Sequence, residues 1–240
     1  MKKNRLTKKR RYDIVVFDCD STLTKIEGID ELARMKGKEK EVCKLTTAAM
    51  EGKAKFRQTL KRKLEIVRPC KKDLALLANL YIKNQVKEAK ETIAKLKQEG
   101  CKVYIVSGAY SQAVLPFAKH LGVPNKNVFA INLRFQKNGN YLSPDWKNPL
   151  TKNKGKRHII KELAKQGKTV LIGDGATDLE AKKAVDFFIG FGGVVKRQIV
   201  KENADVFITN LLDISKLCFA IETPNLLPIL KIVQKGREIC

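Results

Sequence analysis

Six short, nearly continuous apolar runs constrain the fold of this 240-residue chain more than any other feature. Apolar runs without alternation are typical of strands covered on both faces, as in a parallel sheet. Segments with helical spacing lie between several of them, and strand alternating with helix predicts an α/β fold, a Rossmann-like three-layer core with a parallel sheet. The six runs are residues 14–17, 103–106, 128–131, 170–172, 187–189 and 206–208.

The interval 27–84 departs from this alternation of strand and helix, because it contains helical patterns and no strand-like run. It directly follows the first predicted strand, so we predict a helical cap inserted into a catalytic core formed by residues 12–26 and 85–240. Residues 1–11 are strongly basic, and we predict a mobile tail there.

Two smaller elements are predicted in the second half of the chain. Asn138-Gly139-Asn140 is a strong tight-turn signal and indicates a small hairpin. The apolar pattern after Pro224 indicates one more helix. Pro116 is expected in the first turn of the helix after Ser107, or at a kink in it.

The composition favours a globular protein that works in water, with 43% hydrophobic and 31% charged residues. The first apolar run ends at Asp18, which is too early for the core of a signal peptide, and no other run could span a membrane. Six scattered cysteines without a CxxC pair suit a reducing compartment. We therefore expect a cytoplasmic protein that has no membrane partner.

The formal net charge of +24 attracts polyanions and steers anionic substrates toward the surface. Lysines occur along most predicted helices rather than in one stripe, and no aromatic-rich RNA-binding signature accompanies them. We interpret the charge as a solvated surface and do not expect a nucleic-acid partner. Nucleic-acid phosphate ends remain an alternative class of substrate.

Polar residues follow three of the predicted strands, where a buried core would not contain them. Because ligands bind at the carboxyl ends of parallel strands, these residues are expected to converge. Four carboxylates at one point repel each other unless a divalent cation neutralises them, and ligands that are all oxygen atoms favour Mg²⁺. The residues are Asp18 and Asp20 after the first run, Ser107 and Gly108 after the second, and Asp174, Thr177 and Asp178 after the fourth.

This set predicts phosphoryl transfer through a covalent intermediate. Asp18 can act as the nucleophile and form an acyl phosphate. Asp20 can protonate the departing oxygen and later accept a proton from water. Ser107 and the backbone N–H groups beyond it can donate to the phosphoryl oxygens, and Lys154, before Gly155 in a basic loop, is predicted to complete the set.

The motifs resemble those of the haloacid dehalogenase superfamily and, within it, of the phosphoserine phosphatase family. The resemblance extends from Tyr12 to about Asp213 and rests on four segments. It implies a Mg²⁺-dependent hydrolase that converts phosphoserine and water to serine and phosphate, as in serine biosynthesis. The segments are Asp18-Cys19-Asp20-Ser21-Thr22, Ser107-Gly108, Lys154-Gly155 and Gly173-Asp174-Gly175-Ala176-Thr177-Asp178.

The resemblance also implies a role for each matching residue of the core. Asp18 would be phosphorylated, Asp20 would be the acid and base, and Thr22 would support the turn. The ligands of Mg²⁺ would be Asp18, the backbone carbonyl of Asp20, Asp174 and Asp178. The residues that would hold the phosphate end of the substrate are Ser107, Gly108, Lys154 and Thr177.

In the cap, the resemblance implies that Glu27 receives the substrate ammonium and that Met50 and Phe56 enclose the serine moiety. Two positions depart from the family pattern. Lys63 stands where the family has an arginine for the serine carboxylate, and Ala109 stands where it usually has a glycine. A lysine cannot reproduce a two-point guanidinium contact, so these departures affect substrate preference rather than the chemical steps.

Several interpretations stay open at this point. The enzyme could act on another small phosphorylated metabolite, or transfer the phosphoryl group to a second alcohol. A phosphatase of nucleic-acid ends and a non-catalytic binding protein on the same scaffold are further alternatives. The sequence does not determine the oligomeric state.

Overall fold

The computed structural model describes residues 8–221, and six of its strands form one parallel sheet. The strands are β1 Lys8–Arg10, β2 Ile14–Phe17, β3 Lys102–Tyr110, β4 Val128–Ile131, β5 Leu133–Phe135, β6 Tyr141–Pro144, β7 Thr169–Gly173, β8 Phe187–Phe191, β9 Val206–Ile208 and β10 Phe219–Ile221. The helices are α1 Gly28–Met35, α2 Glu39–Met50, α3 Phe56–Val67, α4 Lys71–Lys83, α5 Ala89–Gln98, α6 Ser111–His120, α7 Gly155–Ala164, α8 Ala176–Ala181, α9 Gln198–Asn203 and α10 Asp213–Cys218.

The central sheet has the order β4-β3-β2-β7-β8-β9, and every neighbouring pair is parallel. Each of the six predicted runs lies within one of these strands, so the predicted α/β core is confirmed. All four residues of β2 are completely buried, as a strand covered on both faces requires. The carboxyl ends of β2, β3 and β7 therefore lie side by side at one edge.

Helices α1 to α4 follow β2 without an intervening strand. The chain leaves the core and returns to it at one place, where Thr24 and Gln85 form an antiparallel bridge. The Val86 N–H donates to the Leu23 carbonyl at 2.8 Å beside this bridge. The bridge therefore holds the two connections to the helical segment together, next to the predicted cap boundaries.

Helix α4 joins the helical segment to the core, since it packs against α6. The rings of Tyr81 on α4 and Phe117 on α6 lie 5.6 Å apart between centroids. Pro116 lies in the middle of α6 rather than in its first turn. Within residues 8–221, no helix is long and apolar enough to cross a bilayer.

The predicted hairpin is confirmed by the antiparallel pair β5 and β6. The predicted mobile tail is wrong for residues 8–10, which form β1 and pair antiparallel with β10. Residues 1–7 lie outside the described residues, as does the helix predicted after Pro224. The β1–β10 pair joins segments more than 200 residues apart, as Lys8 opposite Ile221 shows, so no local pattern indicates it.

Candidate active site

Asp18 and Asp20 lie on the turn that follows β2. The Asp18 N–H donates to the Ile172 carbonyl at 2.9 Å, which extends the sheet by one residue. Ser21 then takes a left-handed conformation with φ 52°, and three successive N–H groups, from residues 22 to 24, donate to the Cys19 carbonyl. This tight turn directs both acidic side chains to the carboxyl edge of the sheet.

Thr22 connects this turn to the loop after β7. Its hydroxyl donates to Asp174 Oδ1 at 3.1 Å, and the side chain is completely buried. The residue predicted to support the turn therefore also fixes the orientation of a second carboxylate.

Three buried carboxylates form a cluster at this edge: Asp18, Asp174 and Asp178 each offer an oxygen within 4.8 Å of the others. Burial raises the pKa of Asp174 well above its usual value, and the charges of Glu27 and Asp18 add to the rise. Burial and the charge of Asp18 raise the pKa of Asp178 to about 7, although Lys156 opposes them. The donors of this cluster are all carboxylate oxygens, which fits a hard divalent cation such as Mg²⁺.

The lysine that reaches this cluster is Lys156, not the predicted Lys154. Its Nζ lies 2.9 Å from Asp18 Oδ1 and 2.8 Å from Asp178 Oδ1, and its side chain is 6% exposed. Burial alone would lower the pKa of this lysine, but the charges of Asp178 and Asp18 outweigh it and raise the pKa. An ammonium with two carboxylate partners in a buried site stays charged.

Lys154 is directed elsewhere by the start of α7. It takes a left-handed conformation with φ 59° immediately before the helix, and its side chain is exposed. A side chain on Gly155 would overlap the Pro149 carbonyl, so only glycine allows this close approach. Lys154 lines a neighbouring cavity together with Phe56 and Gly108 rather than contacting the carboxylates. The Lys-Gly-Lys sequence offers two lysines that could contact the carboxylates, and the backbone conformation at Lys154 distinguishes them.

Ser107 and Gly108 lie near the end of β3, where the strand is buried. Ser107 is 1% exposed, and its Oγ accepts a hydrogen bond from the Ala109 N–H at 3.1 Å. A Cβ on Gly108 would press on the ring of Phe56 at 3.0 Å, so the glycine lets the first residue of α3 approach the strand. The core and the helical segment therefore meet at this point.

A cavity lies between the core and the helical segment. It is lined by both predicted reacting carboxylates and by all the predicted substrate-binding residues except Lys154. The lining residues that the prediction did not include are Ile29, Leu60, Ala109, Tyr110 and Lys156. The predicted residues are Asp18, Asp20, Glu27, Met50, Phe56, Lys63, Ser107, Gly108 and Thr177. The structure thus brings side chains of the core and of the helical segment to one shared cavity.

Arg197 joins the two sides of the site and was not predicted. Its Nε lies 3.1 Å from Asp174 Oδ2, and its Nη2 lies 3.3 Å from Glu27 Oε1. Ser21 also donates to Glu27 Oε1 at 2.7 Å. Burial raises the pKa of Glu27, while the Ser21 hydrogen bond and Arg197 oppose that rise. One arginine among 49 basic residues gives no sequence signal for this role.

Lys63 is buried in the helical segment, with 5% of its surface exposed. It donates to Thr46 Oγ1 at 3.4 Å, and the Thr46 hydroxyl donates to Asp30 Oδ1 at 2.6 Å. Burial lowers the pKa of Lys63, and the charges of Glu27 and Asp30 oppose the shift. This side of the cavity therefore presents one buried amine, Lys63, and one partly buried carboxyl, Glu27.

The Asp20 carboxyl is directed toward the start of α1, where its Oδ2 accepts the Gly28 N–H at 2.7 Å. Burial and then the charge of Glu27 raise the pKa of Asp20 well above its usual value. A carboxyl whose charged form is disfavoured can retain a proton to donate.

Comparisons with known proteins agree with this geometry. The haloacid dehalogenase-like hydrolase family model matches residues 12–186. The phosphoserine phosphatase of Homo sapiens is 38% identical over 205 residues, which cover 84% of this chain and 91% of that protein. The phosphoserine phosphatase of Drosophila melanogaster is 40% identical over 205 residues, 84% of this chain and 76% of that protein. A solved structure of a phospho-aspartyl intermediate analogue of phosphoserine phosphatase superposes with a TM-score of 0.75 and 33% identity, covering 88% of this chain and 99% of that chain.

Proposed function

We propose that this chain, which belongs to the haloacid dehalogenase-like hydrolase family and within it to the phosphoserine phosphatases, hydrolyses O-phospho-L-serine to L-serine and inorganic phosphate. One observation carries the proposal. A single cavity places Asp18, Asp20 and Lys156 on its core side, and Glu27 and Lys63 on its cap side. This arrangement is complementary to a small molecule with a phosphate at one end and an ammonium and a carboxylate at the other.

The first chemical step transfers the phosphoryl group to Asp18. Its Oδ1 is occupied by the Lys156 ammonium at 2.9 Å and the Cys19 N–H at 2.8 Å, so we assign the attack on phosphorus to Oδ2. As the bond from Asp18 to phosphorus forms, the ester P–O bond breaks and Asp20 gives its proton to the serine oxygen. Serine leaves as the neutral alcohol.

The second step reverses the role of Asp20. The carboxylate takes a proton from a water molecule, whose oxygen attacks phosphorus and breaks the bond to Asp18. Inorganic phosphate is the product, and Asp20 regains its proton. Because the cap covers the cavity, bulk water has limited access to the intermediate.

Positive charge stabilises the phosphoryl group as it transfers. Lys156 supplies it beside Asp18, and Ser107, Gly108 and Thr177 line the space in which the phosphate oxygens would lie. Lys154 lines the neighbouring cavity together with Lys156, Gly108 and Thr177. From that position it stays a predicted ligand of the phosphate.

The carboxylates of Asp18, Asp174 and Asp178 would hold a magnesium ion, and the Asp20 carbonyl is predicted to join them. When bound, the ion supplies positive charge for the phosphoryl oxygens. Thr22 and Arg197 both contact Asp174 and keep its carboxylate oriented toward the cluster.

The cap residues would select the amino-acid end of the substrate. Glu27 offers a carboxylate to the ammonium group, and Lys63 offers an ammonium to the carboxylate. Met50 and Phe56 supply apolar walls. Because an ammonium is a point charge, Lys63 would hold one carboxylate oxygen rather than two.

The test is a panel of phosphate esters assayed with Mg²⁺ for released phosphate. The panel contains phosphoserine, phosphothreonine, phosphoethanolamine, sugar phosphates and a 5′-phosphorylated oligonucleotide, with and without an acceptor alcohol. We expect phosphoserine to give the highest kcat/KM and the oligonucleotide to give none, because the helical segment covers the site and leaves little room for a polymer.

Other outcomes of this panel separate the alternatives. Preferential cleavage of another small ester would retain the chemistry and remove the phosphoserine assignment. An acceptor-dependent phosphorylated product would indicate a phosphotransferase. No cleavage of any ester would favour a binding protein on this scaffold. The cytoplasmic location stays a prediction from the cysteine pattern.

A further inference from the structure

The hydroxyl of Tyr81 lies beside the carboxyl of Asp20, although it belongs to the end of α4 rather than to any motif. Tyr81 has no exposed surface. Among the described residues, Tyr81 Oη and Asp20 Oδ1 are both buried side-chain oxygens without a hydrogen-bond partner. Most buried polar atoms have a partner, so two neighbouring ones without a partner in an active site require an explanation.

Gly28 fixes the relative position of these two groups. Its N–H donates to Asp20 Oδ2 at 2.7 Å, and a Cβ on it would overlap the Tyr81 hydroxyl oxygen. The hydroxyl is therefore packed on the glycine that binds Asp20. It therefore lies close to the Asp20 carboxyl, without meeting it in hydrogen-bond geometry.

The hydroxyl retains a proton that it can donate to the carboxyl. Burial and then the charge of Asp20 raise the pKa of Tyr81 well above its usual value, so the phenol keeps its proton. The ring is also anchored on the core, since its centroid lies 5.6 Å from that of Phe117. A fixed, protonated phenol beside an unpaired carboxyl oxygen is suited to orient that carboxyl.

We propose that Tyr81 is a positioning residue for Asp20: its hydroxyl donates a hydrogen bond to Asp20 Oδ1 during the reaction and, together with the Gly28 N–H on Oδ2, holds the carboxyl in the plane from which it protonates the leaving oxygen. The inference rests on the proposed function, because it concerns the acid of that reaction. Each carboxyl oxygen has two lone pairs, so one donor on each oxygen leaves room for the transferred proton.

The step balances without any other reactant. The Asp18–phosphorus bond forms, the ester P–O bond breaks, and the Asp20 proton moves to the departing alkoxide. The Tyr81 hydroxyl keeps its own proton throughout. In the transfer to Asp18, the effect of Tyr81 is therefore confined to esters whose leaving group needs that proton. The value of kcat/KM isolates this transfer, because it does not include the later hydrolysis of the aspartyl phosphate.

This restriction provides the test. Tyr81→Phe removes only the oxygen and retains the ring on Phe117. We measure kcat and KM for the best alkyl ester of the panel, expected to be phosphoserine, and for 4-nitrophenyl phosphate, whose phenolate leaves without protonation. For the alkyl ester, kcat is expected to fall at least about tenfold with little change in KM, since general acid catalysis contributes about 10²–10⁴-fold. For the nitrophenyl ester, kcat/KM is expected to fall less than about twofold, because no acid is needed up to the departure of the phenolate.

Thr92→Val is the matched control. Thr92 Oγ1 on α5 is the other buried oxygen without a partner among the described residues, and it lies outside the cavity lining. We expect this variant to hydrolyse both esters as the wild type does. An equal loss on both esters in Tyr81→Phe, or no loss on either, would overturn the positioning role.

A second variant covers the case in which Tyr81→Phe does not fold. Gly28→Ala forces a methyl group against the Tyr81 oxygen and is expected to slow the alkyl ester selectively. The kcat/KM of Gly28→Ala for the nitrophenyl ester should again fall less than about twofold, and an equal loss on both esters would overturn the positioning role. Failure of the proposed function gives a different result: the wild type itself then hydrolyses neither ester, and this inference falls with it.

Discussion

Lys156 Nζ lies between two buried carboxylates, 2.9 Å from Asp18 Oδ1 and 2.8 Å from Asp178 Oδ1. The ammonium therefore partly neutralises a cluster of three carboxylates whose charges oppose one another. It also defines which Asp18 oxygen remains to react. This contact places a permanent positive charge at the point where the phosphoryl group would arrive.

Replacement of this lysine is expected to impair the chemical step. Lys156→Met should lower kcat by at least about 100-fold, because it removes positive charge at the site of phosphoryl transfer. Lys154→Met is the matched comparison two residues away, and it should lower kcat less because Lys154 does not contact the carboxylates. Steady-state kinetics on both variants shows which of them loses more activity. A larger loss in Lys154→Met would contradict the assignment.

The stability of the metal-free protein is expected to fall as the pH rises from about 4 to about 7. In the folded chain the pKa of Asp178 is raised to about 7, whereas in the unfolded chain it is about 3.9. Between these values the folded state binds more protons than the unfolded state, so the free energy of unfolding decreases with rising pH.

Urea unfolding of the wild type and of Asp178→Asn, both in EDTA, checks this pH dependence. The variant lacks the titrating carboxyl, so the wild type should lose stability relative to it as the pH rises through this range. A difference in unfolding free energy that stays constant with pH would contradict the raised pKa of Asp178.

Magnesium is expected to offset this loss. A cation bound by the three carboxylates stabilises the folded state, by about 2.7 kcal/mol at 100 times its dissociation constant. Thermal unfolding at pH 7.5 with and without Mg²⁺ should show a rise in Tm for the wild type. Asp174→Asn should show little or no rise in Tm. The control Asp213→Asn, which changes an aspartate outside the carboxylate cluster, should show the same rise as the wild type. An equal rise in all three proteins would indicate binding elsewhere.

The Lys63 ammonium is expected to determine how strongly the substrate carboxylate contributes to substrate binding. Lys63→Arg should lower the KM for phosphoserine by roughly fivefold, because a guanidinium can hold both carboxylate oxygens. Phosphoethanolamine lacks that carboxylate, so its hydrolysis should not improve. Arg62→Lys, at the exposed neighbour, serves as the control. An equal decrease in KM for both esters would show that Lys63 does not recognise the carboxylate.

The parallel sheet could be predicted because its strands are continuous apolar runs, as in β2 and β7, which local sequence shows directly. The convergence of Asp18, Ser107 and Asp174 followed from sheet topology, since parallel strands end at one edge. These inferences need only the order of elements along the chain.

Side-chain direction could not be predicted in the same way. Lys154 and Lys156 flank Gly155, and the left-handed backbone at Lys154 decides which of them reaches the carboxylates. Arg197 and Tyr81 lie beside residues distant in the chain, Glu27 for Arg197 and Gly28 for Tyr81. No periodicity or local motif encodes contacts of that kind.

The central claim is that Asp18 carries the phosphoryl group, and acid-quenched labelling tests it most directly. The protein is mixed with ³²P-phosphoserine and Mg²⁺, quenched within the first turnover, digested and mapped by mass spectrometry. We expect a phosphorylated peptide that contains Asp18, no label in Asp18→Asn, and normal labelling in the control Asp213→Asn. Turnover by the wild type without label on Asp18, or with label on another residue, would contradict the account.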